Sequence, residues 1–188
     1  LLIALEDGLT WLVHLGMTGR FGHRLEGKHD HVVVDFVDGT RLVYTDPRRF
    51  GVMDLIRPGE SHKLLEHLGP EPLGDNWSGA QLHESLRDRN ISIKSALLNQ
   101  HIVVGIGNIY ASEILFRSGI SPKRLAKNIS LVMANEIYRQ TQHVLLTAIE
   151  AGGSTLKDGQ FKQLDGDLGY FPHEFAVYDR EGEGCVDP

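Results

Sequence analysis

The chain has 188 residues, 41% hydrophobic and 23% charged, which suits a globular protein with one sizeable core or two small lobes. Its net charge of −6 counts mildly against nucleic acid as a partner, although a local basic face would suffice for DNA binding. The chain contains no apolar run of about 18 residues, no signal peptide and one cysteine, so we expect a cytoplasmic protein without membrane contact or internal disulfides. It opens inside an apolar run at Leu1, which predicts a fragment of a longer protein.

The first 60 or so residues alternate between apolar and polar side chains, as strands do. Asp7-Gly8 and Asp38-Gly39 are typical hairpin turns. We therefore predict strands at 1–5, 9–15, 31–37, 40–45 and 51–56. Pro70 and Pro72 favour an extended connection and mark the end of this β lobe.

The middle of the chain has helical periodicity. Ser78 and Gln81 form a capping-box pattern, and Asn108 can cap another helix. We predict helices at 78–87, 92–99, 108–117 and 130–151. A long Gly- and Asp-rich loop at 153–172 follows, then a strand at 174–178 and a turn at 180–182.

Two short segments of the β lobe carry side chains suited to DNA. Met17 stands between glycines at a strand end, where it is either a core residue or an exposed wedge that unstacks bases. Arg48 and Phe50 lie in a loop bracketed by Pro47 and Gly51. Arg48 could reach a base edge or phosphate, or simply pair with a neighbouring carboxylate such as Asp46.

A third segment, 103–113, places Gly105 and Gly107 before a helix. Free backbone N–H groups at a helix start attract anions, and glycines let a phosphate approach closely. A phosphate clamp and a plain helical corner both fit this pattern.

The order and spacing of segments 14–19, 46–51, 105–113 and 152–157 resemble those of the bacterial formamidopyrimidine-DNA glycosylase family. Segments 165–170 and 178–185 extend the resemblance to nearly the whole chain. It implies an α+β fold: a β-sandwich lobe over 1–70, lacking its amino-terminal part, and a helix–two-turn–helix lobe over 71–173. The lobe includes a lesion-capping loop at 153–172, and a zinc-finger β-hairpin begins at 174–188.

The resemblance also implies a function, base-excision repair of double-stranded DNA containing oxidised purines, by a monomer that flips the damaged base out. Its intercalating residues would be Met17, Arg48 and Phe50, with Arg48 contacting the orphaned cytosine. Its other DNA contacts would be His14, His29, Arg89, Lys94 and Asn108. Its base pocket would use backbone amides at Leu156, Lys157, Asp158 and Gly159, with Glu113 shaping the same pocket.

The family's catalytic groups are not among these 188 residues. Its nucleophile is an amino-terminal proline followed by glutamate, and it also uses an upstream lysine and an arginine of the zinc finger. The finger holds one structural zinc through four cysteines, of which only Cys185 is present, and Pro188 occupies the position where a Cys-x-x-Cys pair would place its second cysteine. We therefore expect zinc and glycosylase/lyase activity in the intact protein and neither in this stretch alone.

Two alternatives remain. The related endonuclease VIII group removes oxidised pyrimidines with a different wedge, and a DNA-binding module could have kept the clamp and lost the chemistry. The Met17, Arg48 and Phe50 pattern and the long loop favour the purine enzyme.

Overall fold

The computed structural model describes residues 1–25, 27–155, 164 and 167–186. They form two compact units, one of residues 1–63 with 151–172 and the other of residues 64–150 with 173–188. The loop residues 151–155 and 167–172 thus belong to the β unit, whereas the sequence-based division grouped them with the helices. The two ends of this loop are joined to each other, because Ser154 and Tyr170 form an antiparallel bridge.

Two three-stranded antiparallel sheets make up the β unit, in the orders β1-β2-β6 and β3-β5-β4. The strands are β1 Leu2–Ala4, β2 Thr10–His14, β3 Arg20–Gly22, β4 Asp30–Asp35, β5 Arg41–Thr45 and β6 Val52–Ile56. Both Asp-Gly hairpins are confirmed, and Gly8 and Gly39 adopt the positive φ that these turns require. Strand β3 was not predicted, because three residues with one large apolar side chain give no alternation to detect.

The β core is small and lies between the sheets. Leu12 and Val13 of β2 and Val43 and Tyr44 of β5 are buried. The half-buried Phe21 ring of β3 lies 5.4 Å from the Tyr44 ring and so packs against the edge of this core.

The second unit is helical, with α1 Gly79–Leu86, α2 Ile93–Leu97, α3 Asn108–Arg117 and α4 Leu131–Glu150, and a 3₁₀ turn at Ala126–Asn128. Ser78 caps α1 by accepting the Gln81 N–H, as the capping-box pattern predicted. The α+β class is confirmed. No helix in the described part of the chain is long and apolar enough to cross a membrane.

The start of α3 differs from the prediction. Gly107, not Asn108, is the N-cap: its backbone is extended and its carbonyl accepts the first helical bond, from the Ala111 N–H, at 2.9 Å. Asn108 is therefore the first helical residue, and no side chain caps this helix. This leaves the Asn108 side chain available for contacts outside the helix.

The predicted strand at 174–178 is wrong. A 3₁₀ helix covers Phe171–Glu174, and bends and turns follow as far as Asp179. The N–H groups of residues 176–178 bond to the Glu113 carboxylate instead of a neighbouring strand. The turn predicted at 180–182 is confirmed, because the Glu183 N–H bonds to the Arg180 carbonyl and Gly182 has a positive φ.

Candidate functional site

Three side chains predicted to act together do lie together on the surface of the β unit. Met17 is 74% exposed and Phe50 is 56% exposed, so neither is a core residue. The Arg48 guanidinium lies 4.9 Å from the centre of the Phe50 ring, and its Nη1 lies 3.5 Å from the Met17 sulfur. The result is an apolar projection with a cationic hydrogen-bond donor in it.

A buried carboxylate, that of Asp46, holds the segments that carry this cluster by hydrogen bonds. Asp46 is 1% exposed, and it meets Arg48 through the backbone N–H of that residue. Its oxygens accept hydrogen bonds from the Thr18 hydroxyl at 2.6 Å, the Gly51 N–H at 2.9 Å, the Tyr44 hydroxyl at 3.2 Å and the Arg48 N–H at 3.3 Å. Asp46 therefore joins the turn that carries Met17 to the loop that carries Arg48 and Phe50.

The Asp46 network affects the acidity of its members. Burial by itself would raise the pKa of Asp46, but the hydrogen bonds from Thr18, Gly51, Tyr44 and Arg48 outweigh burial and lower that pKa to about 2. Burial and the Asp46 charge raise the pKa of Tyr44 to about 12. At neutral pH the carboxylate is thus ionised and the phenol is protonated, which is the state that the hydrogen bonds need.

Two glycines allow the turn and the loop to approach each other. A Cβ on Gly16 would lie 2.8 Å from the backbone carbon of Phe50, and Gly16 has a φ of +67°. A Cβ on Gly51 would overlap the Tyr44 hydroxyl. A side chain at Gly16 would therefore separate the Met17 turn from the Phe50 backbone, and one at Gly51 would displace the Tyr44 hydroxyl that donates to Asp46.

We expect Asp46→Asn to destabilise the β unit by about 1–3 kcal/mol, since an amide group would face donors that now share a carboxylate. The folded-state pKa of Asp46 lies below its ordinary value, so this stabilisation is complete above about pH 5 and is lost as the pH falls toward 2. Urea unfolding of both proteins between pH 3 and pH 8 measures it. A stability difference that grew on acidification would contradict the assignment.

The two histidines predicted to contact DNA occupy different settings in the β unit. The Nδ1 of His14 accepts the Gly16 N–H at 3.0 Å, so in the neutral ring Nε2 carries the proton and can donate to a phosphate. The half-buried His29 bonds through its carbonyl to the Asp46 N–H. His31, which was not predicted, bonds through Nε2 to the Asp46 carbonyl.

In the helical unit, Lys94 and Asn108 line one cavity of about 640 Å³. Ser112 of α3 and the segment Val177, Tyr178 and Asp179 also line it. The cavity combines an ammonium group and an amide, which are donors suited to a phosphate oxygen. Arg89 is exposed, does not line this cavity, and donates through Nε to the Ser85 carbonyl at 2.6 Å.

Glu113 has a different setting from the one the base-pocket prediction describes. It is fully buried, and its carboxylate accepts the N–H groups of Ala176 at 2.8 Å, Val177 at 3.0 Å and Tyr178 at 2.9 Å. Its contribution to a base pocket stays a prediction. The other predicted pocket residues, Leu156, Lys157, Asp158 and Gly159, lie outside the described residues.

A metal site was predicted for the intact protein, with Cys185 as one ligand. Cys185 is exposed, and among the described residues no three His, Cys, Asp or Glu side chains come together as a metal would need. One thiolate does not fit the tetrahedral set that structural zinc takes. The described residues therefore do not make a zinc site.

Sequence reasoning missed the supporting residues Asp46, Thr18 and Tyr44 as parts of the site. Asp46 entered only as a partner for Arg48 or Arg49. The available signal was its place before Pro47 in a tight loop, where an Asp side chain often accepts backbone N–H groups.

The β unit thus exposes a cluster of Met17, Arg48 and Phe50, and in the helical unit Gly105 and Gly107 precede helix α3. Residues 1–53 match the family model of the formamidopyrimidine-DNA glycosylase N-terminal domain, and residues 68–160 match its H2TH domain. The chain is 48% identical to the formamidopyrimidine-DNA glycosylase of Cereibacter sphaeroides over 202 residues, covering 100% of this chain and 71% of that protein. The chain belongs to the formamidopyrimidine-DNA glycosylase family.

Solved structures agree. The MutM (Fpg) protein of Thermus thermophilus superposes with a TM-score of 0.91 at 40% identity, covering 99% of this chain and 70% of that one. Lactococcus lactis Fpg, solved with DNA containing an abasic site, superposes with a TM-score of 0.83 at 29% identity. That match covers 95% of this chain and 67% of the Lactococcus lactis chain. MutM in a complex with DNA containing carbocyclic 8-oxo-G superposes with a TM-score of 0.83 at 30% identity, over 99% of this chain and 69% of that MutM chain.

Proposed function

We propose that the intact protein, meaning this stretch within a full-length member of the family, is a base-excision repair glycosylase that removes oxidised purines from double-stranded DNA. The observation that carries the proposal is the exposed cluster of Met17, Arg48 and Phe50 on its buried Asp46 support. Structures of related proteins with Fapy-dG and 8-oxo-G DNA support the choice of oxidised purines.

The cluster can do what base flipping requires. An everted base leaves a gap in the stack and a partner without its hydrogen bonds. Met17 is long, apolar and exposed, so it can fill the gap. Arg48 can donate to the acceptors of the orphaned cytosine, while Phe50 holds the guanidinium in place and wedges the adjacent step.

The cluster is assembled before DNA arrives, which lowers the cost of ordering it on binding. Arg48 already contacts Met17 and Phe50, and Asp46 accepts from the Arg48 and Gly51 backbones and from the hydroxyl of Thr18, the residue after Met17. His14 and His29 in the β unit and Arg89, Lys94 and Asn108 in the helical unit would bind the DNA backbone. Such contacts position the duplex and explain how a chain of net charge −6 could bind it.

We place the chemical steps on groups outside these 188 residues. The amine of an amino-terminal proline would attack C1′ of the lesion nucleotide and displace the base. Cleavage of the C1′–O4′ bond, with protonation of O4′, would then open the sugar ring and give a Schiff base that also permits lyase cleavage. The neighbouring glutamate would transfer protons. We further propose that the intact protein works as a cytoplasmic monomer and carries one structural zinc, with Cys185 among its ligands.

The test is base release by the intact protein from duplexes that carry either 8-oxoguanine or an oxidised pyrimidine. We expect single-turnover excision of 8-oxoguanine opposite cytosine to be faster by a factor of ten or more, on the order of 1.4 kcal/mol of discrimination. Faster release of the pyrimidine would favour the endonuclease VIII alternative. Specific binding without release of either base would favour a non-catalytic module.

A further inference from the structure

The carboxylate of Glu113 is fully buried in the helical unit. It lies in the second turn of α3, next to Ser112, which lines the cavity that holds Lys94 and Asn108. Its two oxygens accept three consecutive backbone N–H groups at 2.8–3.0 Å. A fully buried carboxyl group needs hydrogen-bond partners, and Glu113 finds three of them in a single segment of chain.

That segment is a wall of the same cavity. Val177 and Tyr178 donate to Glu113 through their backbones and also line the cavity. One turn further along α3, Arg117 Nη2 donates to the Glu174 carbonyl at 2.9 Å, just before the wall begins. Helix α3 thus contributes Asn108 to the cavity and holds the chain that lines another part of it.

The wall is also tied to the residues that follow it. Arg180 donates to the Ala176 carbonyl at 3.2 Å, to the Gly184 carbonyl at 3.3 Å and to the Glu183 carboxylate at 2.8 Å. Glu113 therefore holds Ala176 in place, and Arg180 links Ala176 by direct hydrogen bonds to Glu183 and Gly184.

We propose that Glu113 is a positioning residue for phosphate binding: by holding residues 176–178 against α3, it sets the shape of the cavity in which Lys94 and Asn108 bind a DNA phosphate. The inference rests on the proposed function, because the ligand is the backbone of the DNA substrate. Glu113 itself is not among the residues that line the cavity, so it acts on the phosphate only through the segment that it holds.

Glu113→Gln tests the inference in the intact protein. The variant keeps the shape but puts an amide NH₂ where an oxygen now accepts an N–H, so at least one of the three bonds is lost. We expect duplex affinity to fall about ten-fold, the consequence of one unmade buried hydrogen bond. We also expect the slope of log affinity against log salt to decrease by about one, as for the loss of one phosphate contact.

A matched control is Glu136→Gln, which removes the same charge from α4, where Glu136 accepts from Arg139 and Gln140. Loss of a negative charge alone would strengthen DNA binding in both variants. A decrease in affinity for Glu113→Gln only is opposite to the increase expected from the lost charge. It would show that the Glu113 hydrogen bonds themselves matter for DNA binding. Equal increases in the two variants would overturn the inference.

A double-mutant cycle with Lys94→Ala separates positioning from general loss of stability. If Glu113 acts through the Lys94 cavity, the combined loss will be smaller than the product of the single losses. Losses that multiply to within about two-fold, measured per folded molecule, would overturn the inference. If Lys94→Ala changed neither affinity nor salt slope, the phosphate contact of the proposed function would fail as well, whereas an effect of Lys94→Ala without one of Glu113→Gln would contradict the inference alone.

Discussion

Met17→Ala in the intact protein should leave thermal unfolding almost unchanged and lower single-turnover excision of 8-oxoguanine on the order of 100-fold. The side chain is 74% exposed, so its removal creates no cavity in the core. It does remove the group that fills the vacated stack, and unstacking a base costs a few kcal/mol, which corresponds to a factor of this size. Binding to DNA that already lacks the base should suffer less, because no base has to be displaced.

A control for Met17 is Val132→Ala on α4, which removes an apolar side chain that is 78% exposed and lies outside the cluster. Excision by this variant should match the unmodified protein. If Met17→Ala lowered the melting temperature by many degrees and left excision per folded molecule unchanged, Met17 would be a structural residue.

Arg48→Ala should reduce the preference for cytosine over adenine opposite the lesion by roughly 5- to 150-fold, equivalent to about 1–3 kcal/mol for one good base-edge contact. Asp46 accepts the backbone N–H of Arg48, while the guanidinium contacts the Met17 sulfur and the Phe50 ring. The side chain is thus placed by Met17 and Phe50 and keeps donors for a base. The measurement is excision from duplexes that differ only in the opposite base.

Arg49→Ala provides the comparison, because it removes the same charge from the same loop. It should weaken DNA binding without changing the ratio of the rates opposite cytosine and adenine. A ratio that fell equally in both variants would show that loop charge, and not a base contact by Arg48, governs the preference.

Much of the fold followed from local signals. Asp-Gly turns located two hairpins, and Ser78 located the start of α1, because these residues act on the backbone within a few positions. Such features depend on near neighbours in sequence, which a single sequence displays. The place of Met17 between glycines at a strand end left a core residue and an exposed wedge both open, and only the family resemblance favoured the exposed wedge.

The sequence-based predictions failed where a residue distant in sequence determines the local structure. Residues 174–178 have the composition of a strand, but their N–H groups bond to Glu113, more than 60 positions earlier. The support of the cluster depends in the same way on Thr18 reaching Asp46, 28 positions away. Neither contact produces a periodic pattern of apolar residues in the sequence, so both become visible only in the three-dimensional structure.

Borohydride trapping on duplex DNA containing 8-oxoguanine opposite cytosine tests the proposed glycosylase most directly. The intact protein should form a covalent complex, because reduction fixes the Schiff base between its amine nucleophile and C1′. The 188-residue stretch should form none, since the proposed proline is not among its residues. An intact protein that bound this duplex tightly and could not be trapped on it, or a trapped complex formed by the stretch alone, would contradict the proposed chemistry.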